Sequence, residues 1–165
     1  MLVVRCTQKL LKKKPGPTSE REDSLIPLLG GWHANLIRLA HSPVVLFVND
    51  RSLLAILAPG RDFPTLVSVF RNRMIQHLTR IGVSQKAISE EAAAMELVQI
   101  QPSNDRSVLG SMNDFVRLLK RDVEDHFDLN KADGLEDRLS EVPMGALKYN
   151  YPIEVVSAVF GLSGR

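Results

Sequence analysis

Between Arg106 and His126 apolar side chains return every three or four residues, at Val108, Met112, Phe115, Val116, Leu119 and Val123. At about 100° per residue these positions share one wide stripe, so the spacing predicts an amphipathic helix over 106–126 with a buried apolar face. Asn113, Arg117 and Lys120 fall on the far side, and Ser107, Ser111, Asp114 and Leu118 form a third line between the two. The small residues of that line, with Gly110 beside it, suit the close approach of another backbone or of a ligand. Leu66, Phe70, Met74, Leu78 and Ile81 repeat the pattern after Asp62 and Pro64, which predicts a helix over 63–81 closed by a left-handed cap at Gly82. Ser84 is placed to cap a third helix, 84–95, with Val83 and Ile88 at the two positions of a hydrophobic staple.

The remaining apolar runs are short. Leu2–Cys6 and Glu96–Gln101 read as strands, and residues 32–40 and 44–49 read as a hairpin joined through His41-Ser42-Pro43. A further strand is expected at Ser52–Leu57. Thr7 looks like the cap of a short helix through Lys14, stopped by Pro15-Gly16-Pro17. Residues 15–31 read as a loop insertion, 135–139 as a short helix, and 143–165 as an irregular tail. Strands that follow one another without alternating helices point to an α+β fold. The expectation is one domain over 1–165, with a single-layer antiparallel or mixed sheet of about four to five strands. Its helices, 63–81, 84–95 and 106–126, are expected on one face. A Rossmann-type sheet is disfavoured, because no Gly-rich turn joins a strand to a helix.

Composition narrows the class. With 165 residues, 44% hydrophobic and 24% charged, the chain has the make-up of an ordinary soluble globule. It contains no apolar run of the roughly 18 residues that a membrane helix needs. Met1–Val4 is too short for a signal-peptide core, and Cys6 is the single cysteine, so a reducing cytoplasm is expected. Net charge is +2, but Arg5, Lys9, Lys12, Lys13 and Lys14 crowd the first 14 residues with no acid among them. Such a cluster can meet phosphate backbones or keep a helix soluble, and five cations are few for a nucleic-acid footprint. Arg73, His77 and Arg80 also share one helix stripe. No aromatic residue interleaves it, so a solvated face is the preferred reading over a nucleic-acid contact.

The candidate chemistry lies where Trp32-His33-Ala34-Asn35 opens a strand. A period of two puts His33 and Asn35 on the face of Ile37 and Leu39, toward the core or its rim, where they need partners. Asp114, with Ser107 and Ser111, offers them, so a polar network of Trp32, His33, Asn35, Ser111, Asn113 and Asp114 is expected at a sheet–helix seam. Asn104 or Asp105 caps the helix start, and Arg106 and Ser107 just after it are the anion-binding candidates, although a capped helix with a paired Arg is the simpler reading. A His–Asp pair beside Ser107 or Ser111 has the residue types of a base and nucleophile, but Gly110-Ser111 lacks the second glycine of a nucleophile elbow. No catalytic residue is therefore assigned. The histidines at 33, 41, 77 and 126 are isolated and stand in no metal-ligand spacing, so neither metal nor cofactor is expected.

Several stretches carry a resemblance: Val4–Leu11, Gly31-Trp32-His33-Ala34-Asn35-Leu36, Val45-Leu46-Phe47-Val48-Asn49, Arg51–Leu54, and Asn104-Asp105-Arg106-Ser107-Val108-Leu109-Gly110-Ser111-Met112-Asn113-Asp114-Phe115. They resemble a bacterial family of small proteins defined by a domain of unknown function. The resemblance covers most of the chain and departs mainly at 15–29 and after Val142. It implies a bacterial cytoplasmic protein and assigns no reaction, ligand or catalytic residue. The expected role is a non-enzymatic binding or accessory module with a protein partner and no membrane. A hydrolase or phosphoester-processing enzyme using the 106–114 helix start with His33 is the alternative, and nucleic-acid binding the second.

Overall fold

The computed structural model describes residues 1–13, 15, 25–123 and 125–162. In chain order these form β1 (Leu2–Cys6), α1 (Gln8–Leu11), β2 (Trp32–Leu39), β3 (Ser42–Asn49), β4 (Ala55–Pro59), α2 (Phe63–Ile81), α3 (Gln85–Ala94), β5 (Val98–Pro102), α4 (Arg106–Asp122), α5 (Ala132–Leu139) and α6 (Pro152–Val159). The five strands make one open sheet in the order β4-β3-β2-β1-β5. Strand β1 runs parallel to both β2 and β5, whereas β2–β3 and β3–β4 are antiparallel. The mixed sheet and its helices are the α+β arrangement that consecutive strands imply.

Helices cover both faces of the sheet, not one. Leu2, Val4, Cys6, Trp32, Ala34, Val45, Phe47, Ile56 and Ala58 pack with Phe70, Met74 and Leu78 of α2 and Ile88 of α3. Ile37, Leu39, Val44, Leu46, Val48, Ala55 and Leu57 point the other way, onto Val108, Met112, Phe115 and Leu119 of α4 and Ala132 and Leu139 of α5. The cause is legible in β3, where Val44 to Asn49 are buried without a break. A strand apolar on both sides must be roofed on both sides. Phe70 anchors the first core, its ring 4.2 Å from Phe47 and 4.9 Å from Trp32.

Several boundaries shift for local reasons. The β2–β3 hairpin turns on Ala40 and His41 alone, both at positive φ (48° and 70°), the geometry of a two-residue turn that follows strand twist. Ser42 and Pro43 consequently belong to β3. Strand β4 begins at Ala55 rather than Ser52 because the Asn49 carboxamide closes the preceding turn, accepting from the backbone N–H and the hydroxyl of Ser52, each at 2.8 Å. Helix α4 stops at Asp122, short of the expected His126, as Val123 turns extended. Residues 152–159 form α6 where an irregular tail was expected, its first turn pre-set by Pro152. Of the short helix expected through Lys14, Gln8–Leu11 is formed, and Lys14 lies outside the described residues, as do 16–24 of the expected loop insertion.

Candidate functional site

The register of the three parallel-side strands builds one polar surface. Arg5 pairs with His33 across β1–β2 and with Gln101 across β1–β5, and Val3 pairs with Gln99. These residues share the face on which α4 sits, but α4 packs over β2 and β3. Val3, Arg5, Thr7, Asn35, Gln99 and Gln101 are therefore only partly buried. The face is polar where the helix does not cover it and apolar where it does.

Each polar side chain on this face is held. The Arg5 guanidinium donates to Asp50 Oδ2 at 3.1 Å. That pair lies against the backbone of Gly31, where a Cβ would stand 2.7 Å from Arg5 Nη1 and 2.9 Å from Asp50 Oδ2, so a larger residue there would push the ends of this pair aside. His33 is 1% exposed, and its Nδ1 lies 2.8 Å from Ser103 Oγ, in the turn between β5 and α4. Thr7 donates its hydroxyl proton to Asn35 Oδ1 at 2.8 Å, and Gln101 donates to Gln99 at 3.1 Å. Burial pushes the His33 imidazole below its ordinary range, with Arg5 adding and Asp50 and Asp105 opposing. Burial pushes Asp50 up, against the pull of Arg5 and His33. His33 is thus set toward its neutral form.

The expected seam forms only in part. Helix α4 does dock on β2, but His33 takes Ser103 and Asn35 takes Thr7, while Asp114 is exposed and pairs with Arg117 three residues on. Ser111 is buried and returns its hydroxyl to the carbonyl of Ser107 at 3.2 Å. Asn113 faces outward, and Trp32 lies on the opposite face of the sheet, in the first core. Its indole N–H has no hydrogen-bond partner among the described residues. Gly110 is exposed, with nothing within 4 Å of a Cβ added there, so neither a packed backbone nor a pocket wall explains it. At the start of α4, Asp105 accepts from the N–H groups of Ser107 (2.9 Å) and Val108 (3.2 Å). Its carboxylate occupies the donors that an anion at Arg106 and Ser107 would use.

Pattern alone does not bring Arg5, Thr7, Asp50 and Ser103 into one site, because their roles here depend on register across strands distant in the chain. A second cluster departs from the solvated face its spacing predicts. Arg73, His77 and Arg80 are not a solvated stripe: Arg73 and His77 are buried against Asp133, Glu136 and Asp137 of α5. Arg73 Nε donates to Glu136 at 3.0 Å, Arg80 Nε donates to Asp137 at 3.1 Å, and the Glu136 carboxylate also takes the Leu57 N–H of the edge strand at 3.2 Å. The periodic acids of α5, three and four residues apart, were the available signal. Both guanidiniums of this stripe are paired with carboxylates of α5.

Sheet order, register and two-sided helix cover define an α+β protein built on an open five-stranded mixed sheet. The family model for a domain of unknown function, DUF6933, matches residues 3–155, and the chain belongs to that family. No curated protein and no solved structure matches it. Among the described residues no helix is long and apolar enough to cross a membrane.

Proposed function

We propose that the chain is a non-enzymatic binding module that presents the β5–β1–β2 face to a protein partner. One observation carries this: a row of half-exposed polar groups, Gln101, Gln99, Arg5, Thr7 and Asn35, each already fixed by a neighbour. Side chains held in place lose little entropy on association, which is what a recognition surface requires. A bacterial cytoplasmic setting belongs to the same reading, supported by the lone Cys6, whose thiol burial pushes up to about 12 and so keeps unreactive. A photo-crosslinking residue at Gln101 should give a discrete protein adduct in cells, and one at exposed Lys86 of α3 should not. Indistinguishable patterns from the two positions would overturn the proposal.

A second reading, a hydrolase, is favoured by the 2.8 Å contact between Ser103 Oγ and a buried imidazole biased toward the neutral, base-competent form. It moves the nucleophile from the 106–114 helix start to the turn before it. Under this reading a reactive organophosphonate labels Ser103 in the native protein and fails to label the His33→Gln variant. Absence of any adduct at Ser103 removes it.

A further inference from the structure

Helix α6 is tied to the end of α5 by the Ile153 N–H, which donates to the Ser140 carbonyl at 3.0 Å. Where these helices meet the C-terminal half of α2, two hollows adjoin, sharing Glu141 and Ile153 as walls. The inner one, about 160 Å³, is lined by His77, Arg80, Asp137 and Ser140, and the outer one, about 430 Å³, by Tyr151 and Glu154.

The inner hollow ends on His77, whose side chain is 1% exposed and whose two ring nitrogens have no hydrogen-bond partner among the described residues. Nδ1 stands 3.6 Å from Glu136 Oε2 and Nε2 stands 3.7 Å from Asp137 Oδ1, both too long for hydrogen bonds. Among the described residues Glu136 Oε2 and Arg80 Nη2 are likewise without a hydrogen bond, facing each other at 3.6 Å. Buried polar atoms left this way cost free energy unless a further group completes them.

Charge says what kind of group. Arg73 and Arg80 are answered by Asp133, Glu136 and Asp137. Glu141 and Glu154 add two more carboxylates at the mouth, and neither has an ion-pair partner among the described residues. The carboxylates outnumber the guanidiniums, so negative charge is in excess and a cation is the fitting ligand. The described His, Asp and Glu side chains do not converge with metal-ligand geometry, which directs the choice to an organic cation. A primary ammonium has three N–H donors and a narrow body suited to the inner hollow. The Tyr151 ring at the mouth can lie along its alkyl stem or face its charge.

We infer that the groove between α2, α5 and α6 is a binding site for an alkylammonium group, with Asp137, Glu141 and His77 as acceptors and Tyr151 at its mouth. The group arrives either as a free polyamine or as a lysine side chain of another protein. The site shares no residue with the β5–β1–β2 face and stands or falls apart from it.

The test titrates the ¹⁵N-labelled full chain with 1,4-diaminobutane and, separately, with Nα-acetyl-lysine methylamide. Saturable shifts are expected at the amides of Ser140, Glu141, Ile153 and Glu154, and about tenfold weaker binding in Glu141→Gln, the loss of one charge-assisted contact. Glu141 and Tyr151 are exposed, so Glu141→Gln and Tyr151→Ala probe the site without disturbing the core. Tighter binding of the diamine identifies a free polyamine as the source, and tighter binding of the lysine derivative identifies a protein side chain. Shifts that do not saturate for either amine, or that persist unchanged in Glu141→Gln, overturn the inference.

Discussion

Asn49 has no exposed surface, and its carboxamide joins two turns distant in sequence. Its Nδ2 donates to the carbonyls of Leu29 (2.8 Å) and Gly31 (2.9 Å), while Oδ1 accepts from Arg51 N, Ser52 N and Ser52 Oγ. Asn49→Ala strands all of these in the interior, so a loss of about 2–4 kcal/mol is expected in urea unfolding, with a loss under about 1 kcal/mol counting against the network. Protonation adds a second prediction. The folded state holds His33 below its ordinary value, so its contribution to stability is full above the unfolded value of 6.5 and is lost as pH falls below it. Glu91, whose carboxylate accepts the N–H groups of Leu28 (2.8 Å) and Leu29 (3.1 Å), is pushed up by burial, with those bonds opposing. Its ionised form is the costly one, so acidification from above the folded value toward the ordinary 4.5 favours the fold, the reverse slope. Urea midpoints taken from about pH 7 down to 5 should therefore fall less steeply in His33→Gln than in the parent, and equal slopes would refute the assignment. The need of His33 and Asn35 for partners was legible from period two; the partners were not. Asp114 is satisfied locally by Arg117, and Ser103 lies in a turn where no repeat marks it.

At the scale of elements, α5 closes a sheet edge. Strand β4 is the outermost strand on its side, and Glu136 supplies the acceptor for its Leu57 N–H while neutralising Arg73 from α2. Exposed edge groups invite pairing with other chains, so a carboxylate delivered by a helix both joins three elements and blocks that route. Glu136→Ala leaves Arg73 buried without its main partner and is expected to cost about 3–5 kcal/mol. Combining it as Arg73→Met with Glu136→Leu removes the orphan charge, yet the Leu57 N–H stays unpaired, so recovery should fall short by roughly 1–3 kcal/mol. Chemical denaturation of the parent, single and double variants measures both steps, and full recovery would show that the Leu57 contact contributes nothing. Caps made the helices the most legible elements: Asp62, Ser84 and Asp105 each accept an N–H of the following turn, and Gly82 takes the left-handed position at φ 103°. The charged stripe of α2 was illegible because a buried ion cluster and a solvated face have the same sequence period. Only the facing acids of α5 distinguish them.

Across the whole molecule, the sheet is the shared wall of two cores, one anchored by Phe70 and the other by Phe115. The first strand of the chain lies inside that wall, one strand in from its edge, joining β5 on one side to β2 on the other. Neither core can lose its packing without exposing one side of strands that the other core needs, and β3, buried along both faces, belongs equally to both. This coupling, reinforced by the ion pairs that join α2 of one face to α5 of the other, predicts one cooperative unfolding transition. Phe70→Ala and Phe115→Ala, each removing a fully buried ring, should each lower stability by about 3–5 kcal/mol. Far-UV ellipticity reports the helices of both faces, and Trp32 fluorescence reports the first core. In both variants the two signals should shift to lower urea together. If Phe115→Ala instead split the ellipticity into two steps while the fluorescence of Trp32 kept its parental midpoint, the faces would be separate folding units and the sheet only a surface on which they meet.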